Sequence, residues 1–520
     1  MIVRTTRWPQ WLIVVVGALL IVAGVVAGGH PTVFTDTDDY YALGKELATN
    51  VGLVAPPDWS PADLAQARID AHMGHTQMAS RSAVYAVFLY GLESAGTLWL
   101  VTVAQALMVA WPVATLWRVA LPGARRVGAL LAVAIITVLT PLPFFTGFAM
   151  PDVLVGVGVL AAALLLFYPD RIGRGERAAL AALLVFAMAT HTSHILLMVL
   201  MIVVGAGSLV ALGVGRRAVV GRTGVLVATI AVAVLANGLY GIGVRIATGE
   251  PLRNQPFLTA RLLADGPGHA YLRHACAAGE RFTLCRFVDK PLADSEDVLW
   301  SDLPATGVFM LSDYATRVKL EEQEGRFVIG TLAYAPGAQL IASARNWGRQ
   351  LGMVFVDDPV RDPAFYLKDP YWRQTNLPAM IARVADCGPR HDRCRSRLTV
   401  PVSTAVHSAA AVIAVAVALA ALLWRRPAPA GHQLPATAGP PPRDAAEPHQ
   451  PRGAAGPSRR LVATTGFLLA AVVVNAAVCG ILSGPFARYQ ARIVWLVPLV
   501  AVLLVAGRRD DIDSDPLAEA

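Results

Sequence analysis

Ten long apolar runs constrain the fold of this chain more than any other feature of its sequence. The runs lie near residues 11–28, 97–117, 127–147, 152–168, 177–190, 194–212, 223–246, 402–424, 461–482 and 490–506. Most of them approach the roughly 20 residues that an α-helix needs to cross a hydrocarbon core about 30 Å thick. The pattern predicts a mainly α protein, a polytopic membrane helical bundle of about 10 transmembrane helices.

The composition of the 520-residue chain agrees with a position in the bilayer. Hydrophobic residues make up 55% of it, and Asp, Glu, Lys and Arg together make up 15%, against about 25% in typical soluble domains. So few charged side chains cannot cover the surface of a soluble protein of this length. Soluble enzyme classes are therefore excluded, and the lipid bilayer is the first expected partner.

The formal net charge of +8 could indicate nucleic-acid binding, so its position along the chain matters. Arginine is concentrated in the connectors that alternate between the apolar runs, for example at 118–126, 171–177 and 216–222. Positive charge is retained on the cytoplasmic side when a membrane protein is inserted. We therefore expect no nucleic-acid partner, and a multi-pass protein whose N- and C-termini are cytoplasmic.

This orientation divides the chain into five parts. The first part is an N-terminal transmembrane module at 1–246 with a first extracytoplasmic loop at 30–81, and the second is an extracytoplasmic domain of mixed structure at 247–401. A transmembrane helix at 402–424 and a disordered cytoplasmic linker at 425–460 follow. The last part is a C-terminal transmembrane helix pair with a cytoplasmic tail at 461–520. The first run is expected to be a retained signal anchor, because Gly28-Gly29-His30 is a poor cleavage site.

Aromatic side chains and cysteines indicate that the segment 247–401 is folded. Candidate core residues are Trp300, Phe309, Tyr314, Trp347, Phe355, Tyr371 and Trp372. The cysteine pairs Cys276/Cys285 and Cys387/Cys394 are spaced more widely than the C-x2-C pairs of most zinc sites. Two local disulfides are therefore expected, and these require an oxidising compartment.

Three carboxylates follow the first apolar run within four residues, at Asp36, Asp38 and Asp39. Like charges this close repel, so the pKa of at least one should rise above its usual value near 3.9, which suits a general base. The alternative is a solvated turn in which an aspartate caps a helix over 40–49.

Arg488 and Arg492 flank Tyr489 near the start of the last apolar run, one helical turn apart on one face. The planar fork of an arginine can bind two phosphate oxygens. The alternative is a pair of interfacial anchors. Positive charge on the outer side runs against the topology bias, which favours a functional reason for the pair.

Other polar positions at the outer ends of the runs have two explanations each. Asp152 follows Pro151 and either lines a site or caps a helix. His191 and His194 interrupt an apolar stretch and either face a cavity or bond between helices. Arg245 ends a run and either contacts a phosphate or anchors its helix.

The order of these elements resembles the GT-C superfamily of membrane glycosyltransferases. In that superfamily the first outer loop carries an essential aspartate, and a large outer domain follows several helices. The resemblance covers about 1–250 and 480–506 in outline. The motifs that carry it are the acidic loop Phe34–Tyr41, Arg81-x-x-x-Tyr85, Met150-Pro151-Asp152 and Thr190–His194.

The resemblance implies an enzyme of the bacterial cytoplasmic (inner) membrane. It would transfer a hexosyl or pentosyl group, with inversion, from a polyprenyl-phosphate carrier to a glycan, lipid or protein acceptor. Asp38 or Asp39, beside Asp36, would deprotonate the acceptor. No cofactor is certain, and a divalent cation is left open. The expected substrate-binding residues are Arg488, Tyr489, Arg492, Arg81, His191, His194, Asp152 and Arg245.

Three other functions stay open at this point. A polymerase or ligase of lipid-linked glycans could use Arg390-His391-Asp392-Arg393 for a pyrophosphate. A transporter or flippase would need ionisable residues near the bilayer midplane and paired broken helices, whereas the apolar runs hold almost no charge. A non-catalytic scaffold that displays the outer domain is the last alternative.

Overall fold

The computed structural model describes residues 8–55, 81–356, 363–385, 394, 400–423 and 457–513. These residues form mostly α-helices and short 3-10 turns, together with an isolated parallel bridge between Thr32 and Phe148. The prediction of a mainly α protein is therefore confirmed for the described part of the chain.

The first group of helices belongs to the predicted N-terminal module. It comprises α1 (Gln10–Gly28), α2 (Thr35–Asn50), α3 (Ala83–Ala95), α4 (Leu98–Ala120), α5 (Gly128–Leu139), α6 (Leu142–Thr146), α7 (Leu154–Phe167), α8 (Arg174–Ala189), α9 (Thr192–Ala211) and α10 (Arg216–Thr248). Short 3-10 turns at Pro151–Val153 and Pro169–Arg171 stand on either side of α7.

The second group begins with the small helices of the segment predicted to be extracytoplasmic. It comprises α11 (Phe257–Ala264), α12 (Pro267–Ala277), α13 (Ser295–Trp300), α14 (Tyr314–Tyr334), α15 (Pro336–Gly352), α16 (Pro363–Lys368), α17 (Leu377–Ala382), α18 (Val400–Leu423), α19 (Arg459–Leu482), α20 (Ala487–Ala491) and α21 (Leu496–Asp513). The 3-10 turns of this part are Thr283–Phe287 and Trp372–Gln374.

Seven helical stretches of the described chain are long and apolar enough to cross a membrane. They are Gln10–Gly28, Leu98–Ala120, Thr192–Ala211, Arg216–Ala247, Thr404–Leu423, Arg459–Leu482 and Ala487–Arg508. The chain is therefore a multi-pass membrane protein, although the predicted count of about ten spans is not confirmed.

The other three apolar runs form shorter helices, and proline accounts for one of them. The run at 127–147 breaks after α5, because Thr140 precedes Pro141 and takes an extended conformation. The run at 152–168 becomes the 17-residue stretch Pro151–Phe167, and the run at 177–190 becomes α8, which has 16 residues.

Helix α7 is buried along its whole length and links the two ends of the bundle. Next to its start, Asp152 contacts Arg492, which lies just before α21. Beyond its other end, Arg171 Nη1 donates a hydrogen bond of 2.7 Å to the backbone oxygen of Val119 in the last turn of α4. Helix α7 thus reaches from the Asp152–Arg492 contact at one end of the bundle to the last turn of α4 at the other end.

Helices α10 and α18 expose large aliphatic side chains. On α10, Leu235 is 59% and Ile246 is 80% exposed, and on α18 Val412 is 69% exposed. A continuous apolar surface of this kind is unfavourable in water and is the expected lipid-facing surface of a membrane bundle. These helices support the bilayer as the surrounding medium.

The segment 247–401 has a hydrophobic core of its own. The rings of Tyr271, Phe282 and Phe327 lie 5.6–6.1 Å apart at its centre. A disulfide joins Cys276 to Cys285, with Cα atoms 5.8 Å apart, which confirms the first predicted pair. The described residues here are helical, so the expectation of mixed structure is not confirmed.

Most of the aromatic residues expected in that core lie elsewhere. Phe309 belongs to it, but Trp300 and Trp347 are each 37% exposed and Tyr371 is 70% exposed. The indole of Trp347 instead donates a hydrogen bond of 3.2 Å to the backbone oxygen of Val473 on α19. The expectation that Trp300, Trp347 and Tyr371 belong to this core is therefore not confirmed.

Helices α14 and α15 meet at a sharp bend of 104°. Beyond the bend α15 packs on α19, where a Cβ atom at Gly480 would lie 2.9 Å from the backbone oxygen of Asn346. Gln350 of α15 also holds the backbone of Phe486, donating to its oxygen at 2.7 Å and accepting from its N–H at 2.9 Å. Helix α15 therefore fixes the loop that leads into α20.

The short helices α16 and α17 pack against the membrane bundle, with Tyr366 and Met380 buried in its core. An ion pair between the partly exposed Arg383 and the buried Glu93 of α3 holds them in place. Part of the predicted first outer loop (56–80), most of the predicted linker 425–460, and Cys387 lie outside the described residues. The pairing of Cys387 with Cys394 therefore stays a prediction.

Candidate functional site

Six charged side chains meet at one end of the bundle, although they come from four separate parts of the sequence. Two are on α2, one precedes α3, one precedes α7, and two lie on or next to α20. The six residues are Asp36, Asp39, Arg81, Asp152, Arg488 and Arg492. We refer to this set as the Asp–Arg cluster.

The N-terminus of α2 places two aspartates of the acidic loop in this cluster. The helix begins at Thr35, and the backbone N–H of Phe34 donates to Thr37 Oγ1 at 2.9 Å. All three aspartates therefore lie in the first turns of α2, and the expected helix start at Tyr40 is wrong. Residues three apart share a helix face, so the side chains of Asp36 and Asp39 point in the same direction.

Backbone pairing holds this turn next to the start of α7. The N–H of Thr32 donates to the oxygen of Gly147 at 2.8 Å, and the N–H of Ala149 donates to the oxygen of Thr32 at 2.9 Å. Thr37 Oγ1 donates to the oxygen of Ala149 at 3.2 Å. These bonds bring the acidic turn close to Asp152, which follows Ala149 by three residues.

Arg81 joins the two aspartates of the shared face. Its Nη2 lies 2.6 Å from Asp36 Oδ1 and 3.2 Å from Asp39 Oδ2. The next residue, Ser82, caps α3 and donates to the backbone oxygen of Ala189 at 2.7 Å. The Arg81 of the Arg-x-x-x-Tyr motif is thereby held at the carboxyl end of α8.

Asp38 points away from the cluster. Its Oδ1 accepts hydrogen bonds from the backbone N–H of Asn376 at 2.8 Å and from Asn376 Nδ2 at 2.9 Å. These bonds attach the residues before α17 to α2. Of the two aspartates considered as a base, Asp38 has an evident structural role, and Asp39 remains in the cluster.

Asp39 combines partial access to solvent with a raised pKa. Its side chain is 52% exposed. Loss of hydrating water at this site raises the pKa of Asp39 to about 6, repulsion from Asp36 and Asp38 adds to the rise, and Arg81 opposes it. A carboxylate with a pKa near 6 is ionised at neutral pH and is a better proton acceptor than an ordinary aspartate.

Asp152 holds the two arginines of the last helical segment. Its Oδ1 lies 3.7 Å from Arg488 Nε and 3.5 Å from Arg492 Nη1, and the Asp152 and Arg492 side chains are 3% and 2% exposed. A buried charge needs an opposite partner. Asp152 is therefore more than a helix cap, because it positions both arginines.

Arg488 is packed but incompletely bonded. Its side chain is 12% exposed, and its Nη2 lies 4.0 Å from Asp36 Oδ2. Charge-assisted N–H···O bonds are normally about 2.7–2.9 Å long, so these contacts leave bonding capacity. Within the described part of the chain, the buried Nη1 of Arg488 has no hydrogen-bond partner.

Tyr489 and Phe34 hold the guanidinium groups from their sides. The Arg488 guanidinium lies 4.5 Å from the centre of the Phe34 ring and 5.3 Å from that of Tyr489. Arg492 lies 5.3 Å from the Tyr489 ring. Asn475 Nδ2 donates to the Tyr489 backbone oxygen at 2.7 Å, which fixes α20 against α19.

The residues at the start of α9 lie beside Arg492. Ser193 Oγ accepts a hydrogen bond from Arg492 Nη2 at 3.2 Å. His191 Nδ1 accepts from the Ser193 N–H at 3.2 Å, and His194 Nδ1 donates to the Ala187 oxygen at 2.8 Å. Both histidines line this end of the bundle, while Ser193 makes the direct contact.

Arg245 lies apart from the cluster, exposed in the last turns of α10. The Arg390–Arg393 motif of the ligase alternative lies outside the described residues. Across the described residues, no group of three His, Cys, Asp or Glu side chains could hold a metal ion.

Glu296 near the start of α13 was missed by the sequence analysis. Burial and its neighbour Asp294 raise the pKa of Glu296, while Arg488 and Arg81 act in the opposite direction. These interactions place Glu296 at the edge of the Asp–Arg cluster. The sequence offered no signal for it, because the segment 247–401 has many acidic residues and their positions depend on how that segment folds.

Known protein families, curated proteins and solved structures offer no match to this chain. What the site does therefore has to be argued from its own geometry.

Proposed function

We propose that the chain is an integral membrane glycosyltransferase that moves a sugar from a polyprenyl-phosphate carrier to an extracytoplasmic acceptor. The observation that carries the proposal is the convergence of Asp39, Arg81 and Arg488 at one end of the bundle. A proton acceptor and phosphate-binding cations are the two kinds of group that this transfer needs.

In the proposed reaction Asp39 accepts the proton of the acceptor hydroxyl. The hydroxyl oxygen attacks the anomeric carbon through an oxocarbenium-like transition state. As the new carbon–oxygen bond forms, the bond from that carbon to the phosphate oxygen breaks, and the carrier leaves as polyprenyl phosphate with the electron pair. A single displacement of this kind inverts the anomeric configuration.

Arg488 is the proposed ligand of the departing phosphate. Its contacts to Asp36 and Asp152 are 4.0 and 3.7 Å long, and its Nη1 is unpartnered among the described residues. A phosphate oxygen can therefore bind without breaking a short ion pair. Arg81 and Arg492 add positive charge nearby, and Asp152 keeps Arg488 and Arg492 in place.

The position of the Asp–Arg cluster in the bundle favours a sugar donor whose lipid carrier lies in the membrane. The cluster stands at one end of apolar helices, where a phosphate headgroup can enter while its prenyl chain stays in lipid. We further propose that α5, α7 and α8 also cross, giving about ten spans. The arginine-rich end would then be cytoplasmic, with the site outside the bacterial inner membrane.

The test uses cells that lack the gene, complemented at matched membrane levels with wild type, Asp39→Asn or Asp38→Asn. Removing a general base costs about 10²- to 10⁴-fold in rate. Cells that carry Asp39→Asn should therefore fail to regain the envelope glycan that is lost with the gene. Asp38→Asn should retain activity within about tenfold, because its interactions with Asn376 are structural. Full activity of Asp39→Asn would contradict the proposal.

Product analysis in the same cells assigns the reaction type. Loss of one sugar residue from a glycan supports transfer of single sugars from a polyprenyl phosphate. Loss of a ladder of repeats, with each repeat unit intact, would assign a polymerase or ligase instead. A purified full-length chain incubated with synthetic hexosyl- and pentosyl-polyprenyl phosphates then identifies the donor class.

A further inference from the structure

A cleft opens between α8 and α10 at the end of the bundle opposite the Asp–Arg cluster. Its volume is about 610 Å³, which is within the size range of small-molecule sites. Three arginines line it, Arg174 and Arg177 of α8 and Arg222 of α10. No acidic residue is among its described lining residues.

The acidic residues nearest in sequence are already paired with other arginines. Glu176 Oε2 lies 2.7 Å from Arg118 Nη2, and Asp170 Oδ2 lies 2.8 Å from Arg460 Nη1. These ion pairs neutralise Glu176 on α8 and Asp170 in the turn before it. The cleft is consequently left with an excess of positive charge.

The arginines of the cleft keep donors available. Arg222 Nη1 donates to the backbone oxygen of Leu166 at 3.0 Å, which orients the guanidinium and leaves its other N–H groups. In the described part of the chain, the buried Nε of Arg177 has no hydrogen-bond partner. Guanidinium groups arranged in this way suit the oxygens of a phosphate.

The remaining walls of the cleft are apolar. Leu165 of α7 forms the floor and Val225, which is 42% exposed, lies on the side of α10. Gly221 leaves the surface of α10 open, since a Cβ atom there would meet nothing within 4 Å. An apolar wall beneath basic residues matches a molecule with both a phosphate and an acyl chain.

We infer that this cleft binds the headgroup of an anionic phospholipid. The phosphodiester is held by Arg177 and Arg222, with Arg174 at the entrance, and an acyl chain lies along α10 past Val225. Basic pockets between transmembrane helices bind anionic headgroups in this manner. A free anion would gain nothing from the apolar walls, so a lipid is the better match to the cleft.

The test measures lipid binding to the purified full-length chain in detergent by native mass spectrometry. The probes are tetraoleoyl cardiolipin, dioleoyl phosphatidylglycerol and dioleoyl phosphatidylcholine. We expect cardiolipin and phosphatidylglycerol to bind at least about tenfold more tightly than phosphatidylcholine. Equal affinity for the three lipids would overturn the inference.

Paired variants locate the site. Arg177→Gln/Arg222→Gln should weaken cardiolipin binding by at least about tenfold. The control Arg216→Gln/Arg217→Gln removes the same charge from exposed positions of α10 outside the cleft and should change binding by less than about twofold. Equal losses in the two variants would show delocalised attraction and overturn the site.

Two further measurements complete the test. Cardiolipin should raise the unfolding temperature of wild type, and phosphatidylcholine should not; this comparison needs no variant, so it holds even if Arg177→Gln/Arg222→Gln fails to fold. Inorganic phosphate in the millimolar range should leave cardiolipin bound. Displacement by phosphate would indicate a site for free anions and refute the lipid assignment.

Discussion

Arg492 and Asp152 are 340 residues apart in sequence, yet Nη1 of the arginine lies 3.5 Å from Oδ1 of the aspartate. Both side chains are almost completely buried. The contact joins the turn before α7, in the first half of the chain, to the segment between α20 and α21. It therefore ties the packing of the membrane bundle to the position of the arginines that would bind a phosphate.

Removing the charge of Asp152 should destabilise the protein strongly. Breaking one side of a buried ion pair leaves an uncompensated charge and costs about 3–5 kcal/mol. We expect Asp152→Asn to lower the unfolding temperature of the purified chain in detergent, measured by intrinsic fluorescence.

The matched control for this variant is Asp170→Asn. Asp170 also pairs with an arginine, Arg460, but their side chains are 50% and 34% exposed. Exposed ion pairs contribute about 0–1 kcal/mol, so this variant should unfold close to wild type. If both variants unfolded at the same temperature, burial of the Asp152 contact would not contribute to stability.

The rate of transfer should fall in mild acid. The raised pKa of Asp39, about 6, means that its carboxylate is half protonated near pH 6, and a protonated carboxyl cannot accept a proton. Below this pH, kcat/KM should fall about tenfold for each pH unit. A fall centred near pH 4 would be that of an ordinary aspartate and would count against the assignment.

Arg81→Gln tests the direction in which the pKa of Asp39 shifts. Arg81 lowers the pKa of Asp39, so its removal should raise that pKa and move the acidic limb of the rate profile to higher pH. A shift in the opposite direction would mean that another group controls the limb. The measurement is the pH dependence of kcat/KM, with the donor identified as described above.

Replacement of Arg488 should impair the use of the donor. Arg488→Ala removes the proposed phosphate ligand and should reduce kcat/KM by about 10²-fold or more. Arg488→Lys keeps a positive charge but loses the planar fork, so it should recover only part of the activity. Full recovery by lysine would indicate that charge alone matters.

Arg245→Ala is the control for Arg488. It also lies near one end of a long apolar helix, the carboxyl end of α10, but it is exposed and outside the Asp–Arg cluster. Surface substitutions of this kind change stability by about 0.5 kcal/mol or less, and we expect wild-type kinetics. Losses of similar size for Arg245 and Arg488 would show that any positive charge at this end contributes.

Reduction of the disulfide should destabilise the helices α11–α14 that surround it. Cys276 and Cys285 close a loop with a sequence separation of 9, and a cross-link of this size contributes about 2–3 kcal/mol. Cys276→Ser/Cys285→Ser should make α11–α14 more sensitive to limited proteolysis. Cys479→Ser is the control, since this buried cysteine is free; equal sensitivity of the two variants would contradict the prediction.

Local patterns predicted the helices well and their lengths less well. An apolar run of about 20 residues specifies a membrane helix through its own transfer energy, without reference to the rest of the chain. Pro141 showed how one residue divides such a run, because it forces Thr140 into an extended conformation. The segment 247–401 lacked an equivalent local signal, and the expectation that Trp347 and Tyr371 belong to its core was not confirmed.

The sequence by itself determined the class of the protein and the candidate groups. Hydrophobicity, charge bias and the cysteine spacing act locally, so they can be evaluated one segment at a time. They indicated a multi-pass helical protein and singled out the acidic turn after α1 and the arginines before α21.

Only the tertiary structure decided which of these groups lie together. Asp38 and Asp39 are adjacent in sequence, but successive residues of a helix point about 100° apart, so one bonds to Asn376 and the other faces Arg81. The convergence of Arg488 and Arg492 with Asp152 depends on packing among α7, α19 and α20. Such contacts arise from the folding of distant segments, and no local pattern encodes them.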